Sequence, residues 1–213
     1  MRILISPAII TRAAATALTV GLAGVAAAQD NATDAKRLVE VLGVHPGSVL
    51  ADIGAGDAQL TIPMAAEVGP SGRIYATDLG GEPLERLRQA ITKAGATNVE
   101  IVEGHPLRTN LPPACCDGIF IRYVYHHFAD PSAMNASLLQ SLKPGGRLAI
   151  IEFAPNGPEA ESPADRAGGK THGVAAETAA RELERAGFER VMVEHEHDRT
   201  FLVVLRKPAP PDR

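Results

Sequence analysis

The sequence predicts an α/β domain: a doubly wound, mostly parallel seven-stranded sheet with a C-terminal antiparallel hairpin. Three observations predict it. Short apolar runs alternate with stretches of helical period from residue 35 to residue 186, the order that builds a parallel sheet with helices on both faces. Two further apolar runs close the chain, separated only by the polar turn His197-Asp198-Arg199, as in a hairpin. The composition, 45% hydrophobic and 22% charged over 213 residues, suits one globular domain with a core of ordinary size.

The first 28 residues stand outside this pattern. Arg2 and Arg12 are their only charges, residues 13–28 carry none, and the run ends Ala26-Ala27-Ala28 before Gln29-Asp30. A basic start, a short apolar run and a small-x-small end mark a secretory signal. The run is shorter than the roughly 20 apolar residues of a membrane span. The expectation is cleavage after Ala28, a mature domain over 29–213 without a membrane span, and an exported, periplasmic protein. If the segment is not a functional signal, the location is cytoplasmic.

The elements follow in order. Residues 35–42 place Leu38, Val39, Val41 and Leu42 at helical spacing, with Gly43 to end the helix. Residues 48–53 are an apolar run, as a buried parallel strand should be. Residues 58–68 read as a helix with Pro63 in its first turn. Residues 73–78 form the second strand. The helix over 82–94 puts Leu84, Leu87, Ala90 and Ile91 on one face and stops at Gly95. Strands over 98–103 and 117–122 come next, then a helix over 131–142 that starts on a proline. Lys143-Pro144-Gly145-Gly146 is a turn into the fifth strand, residues 147–153. Residues 154–173, rich in Pro, Gly, Glu and Ala, read as a surface loop or lid. A helix over 174–186 precedes the hairpin strands, 191–196 and 201–206.

Charge and cysteine usage exclude several classes. The chain carries 21 Lys+Arg against 25 Asp+Glu, and losing a leader that holds two of the arginines makes it more acidic still. No Lys/Arg block is present, so nucleic acid is not an expected partner. Cys115 and Cys116 are sequence neighbours, a spacing that fits neither a disulfide framework nor a CxxC metal site. They read as two small, free-thiol residues leading into a buried strand.

The chemistry concentrates in Asp52-Ile53-Gly54-Ala55-Gly56-Asp57-Ala58, between a strand and a helix. Gly54 and Gly56 allow a tight turn and close approach of a ligand to the main chain, and the helix start offers free N–H groups. Asp78 ends the next strand, where a carboxylate can accept both hydroxyls of a ribose. A dinucleotide fold would require a third glycine at position 59, which is Gln59, so a nicotinamide oxidoreductase is disfavoured.

With the strand 117–125 running into His126-His127-Phe128-Ala129-Asp130-Pro131, and with Leu142-Lys143-Pro144-Gly145-Gly146-Arg147-Leu148, the chain resembles the class I S-adenosylmethionine-dependent methyltransferases. It is similar above all to the ubiquinone/menaquinone-methyltransferase-like branch, over residues 35–206. The resemblance implies a Rossmann-like methyltransferase fold, S-adenosyl-L-methionine as cofactor and a small-molecule methyl acceptor. It places Gly54, Gly56 and Arg122 around the methionine end of the cofactor, with Tyr123 beside Arg122, Asp78 on the ribose, and Asp52 among the cofactor-binding residues. The segment after the third strand, with His105, would lie beside the adenine. Two positions depart from the family pattern: Ala58 stands for a common glycine, and His105 for a common acid. A neutral histidine there can accept the adenine amino group through one nitrogen or stack on the ring.

Methyl transfer needs alignment of a nucleophile with an already activated methyl group, and a base if the acceptor is oxygen. Tyr125, His126, His127 and His172 are the candidates, with Tyr125, His127 and His172 preferred as catalytic residues. Glu194-His195-Glu196-His197-Asp198 puts two imidazoles on one strand face without a partner cluster. It reads as a solvated edge, so no metal is expected. The alternative to catalysis is a degenerate S-adenosylmethionine-binding domain of an exported protein, since the cofactor is made in the cytosol.

Overall fold

The central strand β1 (Val49–Ile53) pairs in parallel with β2 (Arg73–Leu79) on one side and β4 (Cys116–Arg122) on the other. The structure is a computed structural model that describes residues 31–210; the expected signal segment and its cleavage point lie outside the described residues. Adding β3 (Val99–Gly104), β5 (Leu142–Phe153), β6 (Glu189–His195) and β7 (Thr200–Arg206) gives one seven-stranded sheet of order β3-β2-β1-β4-β5-β7-β6. The last strand, β7, inserts antiparallel between β5 and β6. That is the terminal hairpin the pattern predicts, with β6 left at the edge.

Alternation along the strands sends side chains to two cores. Leu50, Phe120, Ala149, Ile151, Leu202 and Val204 meet Leu38 and Leu42 of α1 (31–42) and Met64 and Val68 of α2 (Thr61–Val68). Ala76 meets Leu84, Leu87 and Ile91 of α3 (Glu82–Ala94) on the same side. Ile53, Ile121, Ile150, Phe201 and Val203 face Leu138 of α4 (Pro131–Ser141) and Leu183 of α5 (Ala176–Arg185). Asp130 caps α4, its carboxylate accepting from Ala133 N at 3.0 Å. Fully buried strands explain why their sequences are continuous apolar runs.

Three expectations change. The Lys143-Pro144-Gly145-Gly146 segment is an extension of β5, not a free turn. A register shift between Cys116 and Gly118 absorbs it, and Gly145 and Gly146 exchange backbone hydrogen bonds with Lys207. Cys115 and Cys116 are joined as a vicinal disulfide, with no free cysteine in the described chain; the expected free thiols are therefore replaced by a ring closed on itself. Residues 154–173 contain two short 3-10 turns, Pro163–Ala167 and Gly169–Thr171. Arg166, 4% exposed, ties this segment to α5 through both Glu182 oxygens, at 2.7 and 3.1 Å. Among the described residues no helix is long and apolar enough to cross a membrane.

Candidate active site

Asp52 and Asp78 stand at the same, carboxyl-terminal end of the parallel strands, where open α/β sheets bind ligands. The chain leaves β1 through two glycines of left-handed backbone with different reasons for being glycine. At Gly54 (φ +73) an added Cβ would sit 2.6 Å from Val124 Cγ2, so the packing of the protein itself forbids a side chain. At Gly56 (φ +54) an added Cβ would meet nothing within 4 Å and would project into open space. Ala58, two residues on, also has a positive φ, +59, which explains the family's glycine there and makes alanine a slightly strained substitute.

Asp78 accepts from Gly56 N (2.9 Å) and Leu79 N (2.8 Å), one on each oxygen. Each oxygen keeps a second acceptor site for a ligand hydroxyl. The cleft beside it, about 280 Å³, runs between Gly54, Thr77 and Gly104 and is walled by Ile53, Leu79, Val124, Phe128 and Met134. A carboxylate at one wall and apolar side chains around it fit a nucleoside. A second hollow joins it at Gly54 and is lined by Asp52, Gly56 and Arg122. S-adenosylmethionine, a nucleoside with a charged amino-acid arm, fits that pair of hollows.

Asp52 is buried and accepts from Thr61 Oγ1 at 2.6 Å. Burial pushes its carboxyl up to about 7; the Thr61 hydrogen bond and the Arg122 charge oppose this, and the Asp78 charge adds to it. Arg122 donates to Asp34 of α1 at 2.7 Å and lies 5.3 Å over the Tyr123 ring. His105 borders the cleft, but its Nδ1 accepts from Leu107 N at 3.1 Å. In the neutral ring the proton then sits on Nε2. The remaining nitrogen is a donor, so the expected acceptance of an adenine amino group gives way to donation or stacking.

Beyond β4 the backbone turns sharply at Tyr123, whose φ of +58 is unusual for a bulky residue. The 3-10 turn Tyr125–His127 follows. A third hollow opens there, lined by Tyr123, His126, His127, Phe153, His172 and Arg199. His127 lines this cavity and the nucleoside cleft alike, so its ring stands between the two. Burial, followed by the neighbouring His126, lowers the pKa of His127 from the ordinary imidazole value. His172, in the 154–173 segment, places Nε2 3.0 Å from His126 Nε2.

Tyr125 is not at this site. It is fully buried, its hydroxyl donating to Glu182 at 3.0 Å and accepting from Asn135 at 2.8 Å. Burial and the nearby Glu182 charge raise its pKa. Its expected catalytic role is corrected to a structural one: with Arg166 and Glu182 it anchors the segment that carries His172.

Glu152 is the functional residue that sequence reasoning missed. It is 0% exposed at the end of β5, accepts from His126 Nδ1 at 2.8 Å, and receives the His126 and Phe153 backbone N–H groups. One signal could have found it: an acid inside the apolar run Ile150-Ile151-Glu152-Phe153, since buried carboxylates are rarely left without a partner. His195 ends the edge strand and His197 lies in the turn after it, both exposed, so the expected placement of both on one strand face does not hold.

Comparison with known proteins fits this geometry. Residues 51–150 match the family model of the methyltransferase domain. A demethylmenaquinone methyltransferase of Listeria monocytogenes is 30% identical over 124 residues, 58% of this chain and 52% of that protein. The ubiquinone/menaquinone biosynthesis C-methyltransferase UbiE of Ectopseudomonas mendocina is 32% identical over 120 residues, 56% of this chain and 47% of that one. The chain spans about half the length of the curated relatives it matches. In structure it resembles an S-adenosylmethionine-dependent methyltransferase of Aquifex aeolicus, with a TM-score of 0.70, 23% identity, and coverage of 82% of this chain and 89% of that one. Residues 51–150 are thus similar to a methyltransferase domain, and the fold is that of an S-adenosylmethionine-dependent methyltransferase.

Proposed function

We propose that the protein transfers a methyl group from S-adenosylmethionine to a small, largely apolar acceptor bound in the cavity beside His127 and His172. The observation that carries this is that His127 lines both cavities: a methyl group held near Gly54 and Val124 would lie across that ring from an acceptor against the tilted Tyr123 and Phe153 rings, whose centroids are 5.9 Å apart. The quinone-pathway names of the relatives support a flat acceptor.

S-adenosylmethionine supplies the methyl group on a sulfonium that needs no further activation. Asp78 takes the ribose hydroxyls; Gly54, Gly56, Asp52 and Arg122 bound the amino-acid arm; and His105 donates to or stacks on the base. Val124, Phe128 and Phe153 exclude water and hold the reactants in line. Where the acceptor is a hydroxyl or an acidic carbon, His127 and His172 are the groups able to take its proton.

The same reading includes export: the signal-like residues 1–28 and the vicinal disulfide both suit an oxidising compartment. Mass spectrometry of protein from its own host should find a chain beginning at Gln29 and no free thiol. An intact Met1 would reject the signal. Calorimetric titration with S-adenosylmethionine, S-adenosylhomocysteine and NAD tests the cofactor. Binding of the first two alone, with methyl transfer to a quinol-type acceptor, supports the enzyme. Binding without transfer to any acceptor favours the degenerate-domain reading, and NAD binding overturns both.

A further inference from the structure

Three imidazoles converge where the sequence suggested no metal. One ring nitrogen from each of His126, His127 and His172 lies within 4.8 Å of the other two. Glu152 holds His126 Nδ1 at 2.8 Å from the buried side. A carboxylate that accepts from Nδ1 places the proton there and leaves the His126 Nε2 lone pair free. His172 Nε2 lies 3.0 Å from that nitrogen. Two imidazole nitrogens on one tetrahedral metal lie about 3.3 Å apart, given metal–nitrogen bonds near 2.05 Å. The observed separation is therefore within a few tenths of an ångström of a shared ion. A histidine with a carboxylate behind its far nitrogen is the usual form of a metal ligand.

From this geometry we propose that His126, His127 and His172 form a three-histidine site for a divalent transition metal, with Glu152 orienting His126. Three neutral nitrogens select zinc, cobalt or nickel over magnesium and calcium, which take oxygen ligands. Three protein ligands leave one position of a tetrahedron open, the pattern of a working site rather than a structural one. The three histidines line one cavity together with Tyr123, Phe153 and Arg199, where a ligand oxygen could complete the shell. Metal binding itself does not depend on the proposed methyl transfer, but an ion held by His127 and His172 takes the lone pairs with which those rings would accept a proton, so in the loaded protein they are ligands and not bases. Only the identification of that oxygen with the methyl acceptor rests on the transfer reading. A hydrogen-bonded imidazole relay is the competing account of the His126–His172 contact, with His127 close as the chain neighbour of His126, its ring 4.0 Å away; metal titration separates the two.

The test uses untagged, metal-stripped protein. Zn²⁺ is titrated by calorimetry, and Co²⁺ by visible absorbance, which reports the coordination of the ion. One equivalent of each should bind. His172→Ala, in an exposed segment, should weaken binding at least about tenfold, and Glu152→Gln by about 10–100-fold. The pair His195→Ala with His197→Ala should change nothing. S-adenosylmethionine affinity, measured on the same samples, should survive His172→Ala, so failure of the metal site and failure of the cofactor reading are told apart. No saturable binding of either ion, binding indifferent to His172→Ala, or binding lost in the His195/His197 pair would each overturn the site and leave the relay.

Discussion

On the β1–β2 side of the site the ligand-facing surface is mostly main chain; on the β4–β5 side it is imidazole, carboxylate and aromatic ring. Gly54, Gly56 and Asp78 lie within 25 residues of one another, and Asp78 engages the Gly56 N–H directly. His126, Glu152 and His172 come from three separate segments and meet only through the tertiary fold. The two buried acids sit on opposite faces of the sheet. Asp52 shares its side with α1 and α2 and is hydrogen-bonded to Thr61. Glu152 points toward the turn that carries His126. A surface made of backbone can bind one cofactor across many relatives, whereas a surface made of side chains can be rebuilt for each acceptor.

The largest expected effect lies behind the acceptor side. Glu182→Ala leaves Arg166 buried without its partner, and thermal or denaturant unfolding should show a loss of about 3–5 kcal/mol. A loss under about 1 kcal/mol would mean that the 154–173 segment is not anchored through this pair. Asp78→Ala should act on the other side, weakening S-adenosylmethionine by about 1.5–3 kcal/mol, roughly tenfold or more in Kd. The melting temperature should move less than in Glu182→Ala. Unchanged affinity would remove Asp78 from the cofactor cleft.

Tyr125→Phe is smaller and separates packing from chemistry. It strips Asn135 of a buried acceptor and should cost about 1–2 kcal/mol of stability, with methyl-transfer rates at saturating substrate unchanged. A rate drop far beyond the loss of folded protein would restore Tyr125 to the reaction.

The gentlest effect is one of pH. The Asp52 carboxyl, ordinarily at 3.8, is raised to about 7 in the folded protein, so the folded state holds a proton that the unfolded state releases. Its contribution to stability is fullest below the ordinary value and falls as pH rises through that window, levelling off above about 7. Across the two pH units around neutrality the decline should be on the order of 1 kcal/mol. Asp52→Asn should flatten that slope in a series of unfolding curves; an equal slope in both proteins would assign it to other groups.

Residue order by itself determined most of the architecture. Apolar runs and helical periods placed the strands and helices to within a few residues, because strands buried on both faces and helices buried on one leave different periods in a sequence. The glycine pair and the acid at Asp78 were legible for the same reason: a tight turn and its neighbouring carboxylate are local. Tertiary structure alone decided which side chains face the site. Tyr125 and His126 are adjacent in sequence, yet the 3-10 turn sends one hydroxyl into the core toward Glu182 and turns the other ring to Glu152. The clash that forbids a side chain at Gly54 comes from Val124, seventy residues away in sequence. The partner of Glu152 could not be read from β5, because a buried charge announces that it needs a partner without saying which.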